Sequence, residues 1–323
     1  MKRRGLACSA VALLAASALA SGAAAASNPE ADALIKQAFN MAEPRFEPAF
    51  ERNCSTDAPF PLANGRGGPA VPAKLFDNFY YVGRTDVGAW LLKTSDGLVV
   101  IDTLYTPEEA EKTIIAGIRK LGFDPAQIKL VLITHGHTDH AGGWKYFNQK
   151  GIKVMLGEVD WGLLGGAPGP DNILRDGQVL KVGDTSITAV FTPGHTPGTF
   201  TYLFPVFERG QKHMAALTGG VGPRGGIPVH QGSIAGMEHL LELGRGVGLD
   251  VLFLPHEAFE DPMGMQAILD APTRKPGTPN TFILGQDRLQ NYGRMLETCW
   301  KARIALLQAS RGEVGRGAGA PAP

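Results

Sequence analysis

The clustering of apolar residues along the chain predicts a mixed α/β protein with many short strands. Short apolar runs rich in β-branched and aromatic residues follow one another from residue 78 onwards, with turn residues between them. These runs read NFYYVG, AWLLKT, LVVID, IKLVLIT, IKVML, QVLKV, SITAVFT, TFTYLFPV, HMAALT and DVLFLP. The run at 128–134 is almost continuously apolar, which is typical of a strand that is buried on both faces.

Segments with helical periodicity lie before, between and after these strands. Residues 106–122 start with Thr106 and Pro107 followed by acidic residues, which is the pattern of a helix amino terminus. Further helices are predicted at 29–50, 141–150, 234–244 and 288–308. Mixed strands with helices in both halves of the chain predict two sheets that pack together, with helices covering the outside.

The first 26 residues have the organisation of a secretory signal peptide. A basic start, MKRR, precedes an Ala- and Leu-rich stretch and a run of small residues that suits cleavage near Ala26. The alternative, a membrane anchor, requires about 20 strongly apolar residues, and this Ala-rich run is less apolar than that. The sequence therefore predicts an exported protein, periplasmic or secreted.

The remaining chain divides by composition into three parts. Residues 27–74 form a helical segment followed by a Pro- and Gly-rich connector, and residues 75–309 carry the strands and helices of the main domain. Residues 310–323 contain little that a core can bury and are expected to be a disordered tail.

Charge and composition limit the classes of partner. The chain is 44% hydrophobic and 19% charged, which is ordinary for a soluble domain. Loss of Lys2, Arg3 and Arg4 with the leader leaves 28 basic and 31 acidic residues, a net charge of −3. Neither nucleic acid nor an anionic membrane surface is indicated as a partner, and a small-molecule substrate is expected.

Two cysteines, Cys54 and Cys299, remain after the leader is removed. In an oxidising compartment they can form a disulfide between the N-terminal segment and the last helix. Two buried free thiols are an equally good interpretation of the sequence.

The segment THGHTDH, residues 134–140, places three of the eight histidines and one aspartate within seven positions. His135, His137 and Asp139 are spaced by two, so on extended chain after a strand they point to the same side. His140 points to a neighbouring position. Imidazole and carboxylate ligands together favour Zn²⁺ or a similar divalent ion, and four such residues can contribute to two metal sites.

Two further histidines occur where loops leave predicted strands. His195 lies in TPGHTPG, and His256 follows a buried strand in LPHE. A lone histidine is usually structural, but the neighbouring cluster still lacks ligands, and this favours a metal-binding role for both residues.

These motifs, together with VVIDTL at 99–104, resemble the metallo-β-lactamase superfamily over roughly residues 75–260. The resemblance implies an αββα fold with two zinc ions. One ion would be held by His135, His137 and His195, and the other by Asp139, His140 and His256, with Asp102 in a supporting role. Asp139 would also orient the attacking water, which makes it the predicted catalytic residue.

The residues after HMAALT favour one branch of this superfamily. Many of its hydrolases carry a metal-bridging aspartate there, and two subclasses of β-lactamase carry a cysteine, whereas this chain has Thr218-Gly219-Gly220. The sequence is therefore most similar to the third subclass of class B β-lactamases, although GGVGPRGG replaces the serine-bearing loop of that subclass. A related hydrolase of another exported ester, lactone or amide, and a non-catalytic metal-binding protein, are the alternatives.

Other motifs carry less information. Residues 220–225 match G-x-G-x-x-G, but Pro223 argues against the helix that a dinucleotide fingerprint needs at this point. This glycine-rich segment is expected to be a flexible loop at the active site. His213, His230 and His239 are expected to be structural or surface residues, and His230, within that loop, is also a minor candidate for contact with substrate.

Overall fold

The computed structural model describes residues 28–54, 67–220 and 222–317, with side chains through residue 310. The predicted signal peptide, part of the Pro- and Gly-rich connector and the last six residues lie outside this description. Across the described ranges, none of the helices combines the length and apolar character that crossing a bilayer requires.

The first sheet has seven strands in the order β1-β2-β3-β4-β5-β6-β7. Its strands are β1 (Ala73–Lys74), β2 (Phe79–Tyr81), β3 (Trp90–Thr94), β4 (Gly97–Ile101), β5 (Ile128–Leu132), β6 (Lys153–Gly157) and β7 (Ile173–Leu174). β1 to β4 are antiparallel neighbours, whereas β4 to β7 run parallel.

The second sheet has five strands in the order β12-β11-β10-β9-β8. Its strands are β8 (Gln178–Val182), β9 (Thr185–Phe191), β10 (Phe200–Glu208), β11 (Gln211–Leu217) and β12 (Leu249–Phe253). β11 and β12 are parallel, and the other neighbours are antiparallel.

Helices cover the outer face of each sheet. They are α1 (Pro29–Met41), α2 (Glu47–Cys54), α3 (Pro107–Glu109), α4 (Ala116–Lys120), α5 (Thr138–Ala141), α6 (Trp144–Asn148), α7 (Glu158–Leu163), α8 (Ile227–Val247), α9 (Glu257–Glu260), α10 (Pro262–Asp270) and α11 (Gln286–Gly317). A π-helical stretch, Ala110–Ile115, joins α3 to α4, and Thr106 accepts a hydrogen bond from the Glu109 amide as the predicted cap. The expected αββα sandwich is confirmed.

The nearly continuous apolar run at 128–134 is explained by burial on both faces of the first sheet. Leu130 and Leu132 face the second sheet, whereas Val131 and Ile133 pack beneath the helices. Each fully buried aliphatic side chain of this kind stabilises the fold by about 1.5–3 kcal/mol. This strand is thereby fixed in register, and its carboxyl end is held in a defined position.

The N-terminal segment packs onto the main domain. Cys54 at the end of α2 forms a disulfide with Cys299 in α11, which selects one of the two interpretations left open by the sequence. Asn53 accepts a hydrogen bond from the Trp300 indole at 2.8 Å. The main sheet also starts slightly before residue 75, because β1 begins at Ala73.

Several predicted helix boundaries differ from the structure. α8 begins at Ile227, so it includes part of the expected loop at 219–232, and His230 lies in its first turns with 3% exposure. His230 is therefore a buried helical residue and not a residue of a mobile loop. α11 continues to Gly317 and so overlaps the tail predicted from residue 310; residues 309–317 contain no proline, so the helical hydrogen bonds can continue.

Candidate metal centre

The six predicted ligands converge at one edge of the sandwich. Parallel strands place their carboxyl ends at the same edge of a sheet, and β4, β5 and β12 all end here. Asp102 follows β4, His135 follows β5, and His256 follows β12. His195 reaches the same place from the loop between β9 and β10.

The first predicted triad is compact. Ligand atoms of His135, His137 and His195 all lie within 4.8 Å of one another. His135 Nε2 lies 3.1 Å from His137 Nδ1, and the ring of His195 is 4.6 Å from that of His135 and 4.8 Å from that of His137. Three imidazoles therefore face a common point.

The second predicted triad lies directly beside the first. The Nε2 atoms of His140 and His256 are 3.0 Å apart. Asp139 Oδ2 lies 3.5 Å from His140 Nε2 and 3.4 Å from His256 Nε2. The rings of His135 and His140 are 4.2 Å apart, so the two triads share one pocket.

The local backbone differs from the extended conformation predicted for this motif. The loop after β5 carries His135 and His137, but Asp139 and His140 belong to the short helix α5. Gly142 and Gly143 end this turn where the chain passes close to the backbone after β4. A Cβ at Gly142 would lie 1.8 Å from the carbonyl oxygen of Tyr105, and one at Gly143 would lie 2.1 Å from that of Thr103. Glycine at these two positions thus allows the chain after α5 to pack directly against the backbone that follows β4.

Asp102 has the supporting position that the resemblance implied. It is fully buried, and its carboxylate accepts hydrogen bonds from the Thr134 amide at 2.8 Å and the Thr134 hydroxyl at 3.0 Å. His140 Nδ1 lies 2.8 Å from the same carboxylate. An ionised carboxylate only accepts, so His140 donates from Nδ1 and keeps its Nε2 lone pair for the pocket.

Hydrogen-bond partners fix the tautomers of two more histidines. His256 Nδ1 lies 2.9 Å from the carbonyl oxygen of Asp86, which can only accept, so the neutral ring presents a lone pair at Nε2. The Thr134 hydroxyl gives its hydrogen to Asp102, so it accepts from His135 Nδ1 at 3.1 Å. The Nε2 atoms of His140 and His256 therefore face each other as lone pairs at 3.0 Å, an arrangement that a cation between them would stabilise.

The electrostatics of the pocket suit a divalent cation. Burial lowers the pKa of His135 and of His195 well below the usual value, and the neighbouring histidines lower them further. Burial alone would raise the pKa of Asp139, but His140 and His256 outweigh it and lower the pKa. Burial lowers the pKa of His140, but Asp139 and Asp102 together raise it. Neutral imidazoles beside an ionised carboxylate are the donors that Zn²⁺ prefers.

Asp160 is a supporting residue that the sequence analysis did not identify. It is fully buried and accepts hydrogen bonds from the amides of Gly136 at 2.7 Å and Gly198 at 2.8 Å, and from the Thr196 hydroxyl at 2.5 Å. One carboxylate thus joins the loop that carries His135 and His137 to the loop that carries His195. Its position in GEVDWG, after β6, was the available signal.

Replacing Asp160 with alanine is expected to lower both the stability of the protein and the zinc affinity of the first triad. Three buried donors would lose their acceptor, at a cost of about 1–3 kcal/mol each. Denaturant unfolding and zinc titration measure the two effects, with Asp171→Ala as an exposed aspartate control. Unchanged zinc affinity in a destabilised variant would show that Asp160 supports the fold but does not position the histidines.

Gly220 adjoins the pocket, as its place after β11 predicted. A Cβ there would lie 2.9 Å from His195 Cγ, and its φ of +115° is one that other residues rarely adopt. His195 Nδ1 is buried and has no hydrogen-bond partner among the described residues. The glycine thus allows close approach of the backbone to the His195 ring.

Comparison with known proteins agrees with this architecture. Residues 82–206 match the profile described as "Metallo-beta-lactamase superfamily". The chain therefore contains a domain of the metallo-β-lactamase superfamily.

Among solved structures, the chain is similar to BJP-1, a subclass B3 metallo-β-lactamase of Bradyrhizobium japonicum. The identity is 29%, the TM-score is 0.59, and the match covers 76% of this chain and 97% of that one.

Two curated proteins that are named for other activities match a shorter region. A hydroxyacylglutathione hydrolase of Mesorhizobium japonicum is 33% identical over 100 residues, which cover 31% of this chain and 36% of that protein. The N-acyl homoserine lactonase AttM of Agrobacterium fabrum is 30% identical over 121 residues, which cover 32% of this chain and 46% of that protein. The match spans less than half the length of these relatives, so it agrees with the superfamily but does not identify the substrate.

Proposed function

We propose that the protein is an exported zinc hydrolase that opens the amide bond of β-lactams. The observation that carries the proposal is the pair of adjoining triads, His135-His137-His195 and Asp139-His140-His256, with glycine in place of a bridging ligand at 220. Likeness to a subclass B3 β-lactamase over almost the whole length of that enzyme supports this substrate over the others.

The chain's own residues fit two zinc ions, one in each triad. When bound, zinc polarises a carbonyl oxygen and lowers the pKa of water from 15.7 to about 7. Asp139, in the second triad, has its pKa lowered by His140 and His256, so its carboxylate stays ionised and can accept a hydrogen bond from the attacking water and orient it. Asp102 and the Asp86 carbonyl hold the His140 and His256 rings in the tautomers that ligation needs.

Arg224 is the proposed contact for the substrate carboxylate. It is exposed on the loop after β11, and its backbone amide donates to the Gly194 carbonyl, directly before His195, at 3.4 Å. Burial is the main cause of the lowered pKa of His137 and of His195, and the positive charge of Arg224 is a smaller cause. Arg224 is therefore within electrostatic range of the pocket. A guanidinium there can pair with a carboxylate in a bidentate manner.

Replacing Arg224 with alanine is expected to raise KM for a β-lactam roughly tenfold while kcat changes little, because the lost contact is made equally in the ground and transition states. Steady-state kinetics measure the change, and Arg119→Ala, an exposed arginine on α4, is the control. An unchanged KM would show that the carboxylate binds elsewhere.

The substrate assignment is tested by kinetics on the zinc-loaded protein with three substrates: nitrocefin, an N-acyl homoserine lactone and a glutathione thioester. Nitrocefin hydrolysis that exceeds the other two reactions by orders of magnitude in kcat/KM is the expected result. The second candidate, a hydrolase of another exported ester, lactone or amide, is favoured by the names of the curated relatives, which are a hydroxyacylglutathione hydrolase and a lactonase. A preference for the lactone or thioester would support it, and zinc binding without turnover would support a non-catalytic metal protein.

Export is part of the same proposal. The basic and Ala-rich N-terminus suggests a secretory leader, and the Cys54–Cys299 disulfide suits an oxidising compartment such as the periplasm. Mass spectrometry of the mature protein is expected to find a start near Ser27. Recovery of the full-length chain from the cytosol would refute this part of the proposal.

A further inference from the structure

The turn that presents His256 has little stability of its own. His256 precedes α9, a helix of four residues, and its backbone φ and ψ of −127° and 65° are outside the regular regions. An isolated helix of this length does not form in water, because the free-energy cost of nucleation exceeds the stabilisation from the hydrogen bonds of a single turn. Contacts from other parts of the chain must therefore hold this turn.

One set of contacts comes from the loop between β2 and β3 and from the turn itself. The Gly88 amide donates to the Pro255 carbonyl at 2.9 Å, and the Leu254 amide donates to Glu257 Oε1 at 2.8 Å. With the His256–Asp86 bond, these contacts fix the start of the turn. The amides of its far end, residues 259–261, donate to carbonyls within the turn, and its remaining carbonyl and carboxylate groups are bound from elsewhere.

The far end is held by two arginines of the N-terminal segment. Arg52 in α2 donates to the Phe259 carbonyl at 3.2 Å and lies 4.0 Å from Glu260 Oε1. Arg45 donates to the Asp261 carboxylate from Nε at 3.0 and 2.9 Å, and from Nη1 to the Thr281 carbonyl at 2.5 Å. The four charged side chains of these pairs are at most 8% exposed. Removing one partner of such a buried pair is costly, because the other charge is left uncompensated.

The helix that carries Arg52 is itself anchored close to this arginine. α2 has only eight residues, and Cys54, two positions after Arg52, is joined covalently to Cys299 of the long helix α11. The Asn53–Trp300 hydrogen bond reinforces the same junction. The disulfide therefore fixes α2 against a rigid element, and α2 in turn can fix the residues after His256.

We infer that α2, anchored by the Cys54–Cys299 disulfide, is a clamp in which Arg52 positions His256 for the second metal ion. The inference rests on the proposed metal function for the identity of the ion, but not for the position of the turn. Arg52 is thus a positioning residue that acts through the Phe259 carbonyl and Glu260. A consequence is that reduction of a disulfide remote in sequence weakens the second triad and leaves the first intact.

The test uses the full mature chain with Arg52→Met, and a second variant with Cys54→Ala and Cys299→Ala together. Glu51→Gln, an exposed neighbour on α2, is the matched control. Zinc affinities are measured by chelator competition, and the two ions are assigned by comparison with His195→Ala and His256→Ala. The clamp predicts a loss of roughly 10- to 100-fold in affinity for the His256-dependent ion alone, the range found when residues behind a ligand are changed.

Amide hydrogen exchange of the metal-free protein gives a readout that needs no bound zinc. The clamp predicts faster exchange in residues 256–264 of both variants, with residues 128–140 and the Glu51→Gln control unchanged. Equal exchange in this segment, or a uniform increase throughout the protein, would overturn the inference, because Arg52 would then have no local effect on the turn. A wild-type protein that binds no zinc would refute the proposed function, while the exchange pattern would still decide for or against the clamp.

Discussion

Replacing His195 with alanine is expected to leave one tightly bound zinc ion and to lower kcat/KM by at least about 100-fold. Changes in residues that merely support a ligand already cost roughly 10- to 100-fold, so loss of a ligand costs at least as much. His195 is the member of the first triad that comes from the β9–β10 loop. His135 and His137 each offer one ligand atom of their own, so neither can replace it. Metal analysis after dialysis and steady-state kinetics measure the two effects.

The control for this variant is His239→Ala. His239 lies on α8 with its side chain 41% exposed, 3.4 Å from Asp176. It is therefore also an imidazole, but one that lies outside the pocket. It should keep both zinc ions and full turnover. Near-normal turnover of the His195 variant, with both ions retained, would show that His195 is a structural histidine and that the first triad has been assigned wrongly.

The convergence of the six side chains could be predicted because the strand ends that position them can be recognised from neighbouring residues in the sequence. His135, Asp102 and His256 each follow a short apolar run directly, and such runs identify buried strands without knowledge of their neighbours. The spacing of His135, His137 and Asp139 indicated a shared direction on an extended chain, but Asp139 lies in the short helix α5, so that argument was wrong for this residue. The ligand set required no knowledge of register, only of where strands end.

The residues that hold these side chains in place could not be predicted in the same way. Asp160 acts through amides 24 and 38 positions away, and Arg52 through a carbonyl 207 positions away. Buried aspartate and arginine carry no periodic pattern of their own, and their partners are set by the packing of whole helices. The disulfide stayed undecided for the same reason, because sequence alone cannot show that two cysteines are close.

The resemblance predicts that glycine at 220 stands where related hydrolases have a bridging ligand, but the physical role of this glycine was not visible in the sequence. With φ of +115° and the His195 ring so close, this position excludes side chains for conformational as well as steric reasons. An aspartate placed there would strain the backbone before it reached a metal. The absence of a carboxylate is thus tied to the path of this loop.

Replacing Asp102 with asparagine is expected to weaken zinc binding at the second triad while the backbone fold is kept. Asp102 has a φ of +64°, a conformation that asparagine tolerates well, so the backbone can remain as it is. The carboxylate accepts from the Thr134 amide, the Thr134 hydroxyl and His140 Nδ1. An amide has a single oxygen, which the Thr134 amide would retain, so an NH₂ group would face His140 Nδ1.

His140 would then have to accept at Nδ1 and carry its proton on Nε2, the atom that faces His256. A protonated Nε2 cannot bind a metal ion, so affinity for the second zinc should fall by roughly 10- to 100-fold while the first triad keeps its ion. Stability should fall by about 1–3 kcal/mol, because one buried hydrogen bond is lost. Zinc competition and denaturant unfolding measure the two quantities separately.

Asp250→Asn provides a matched control, because Asp250 makes the same kind of contacts away from the pocket. Its carboxylate lies 2.6 Å from His213 Nδ1 and accepts from the Met214 amide at 3.0 Å. This variant should lose less stability, because the Asp250 side chain is 21% exposed, and should bind both zinc ions as the wild type does. If Asp102→Asn also keeps both affinities, the His140 tautomer does not control the second triad, and the supporting role of Asp102 must be purely structural.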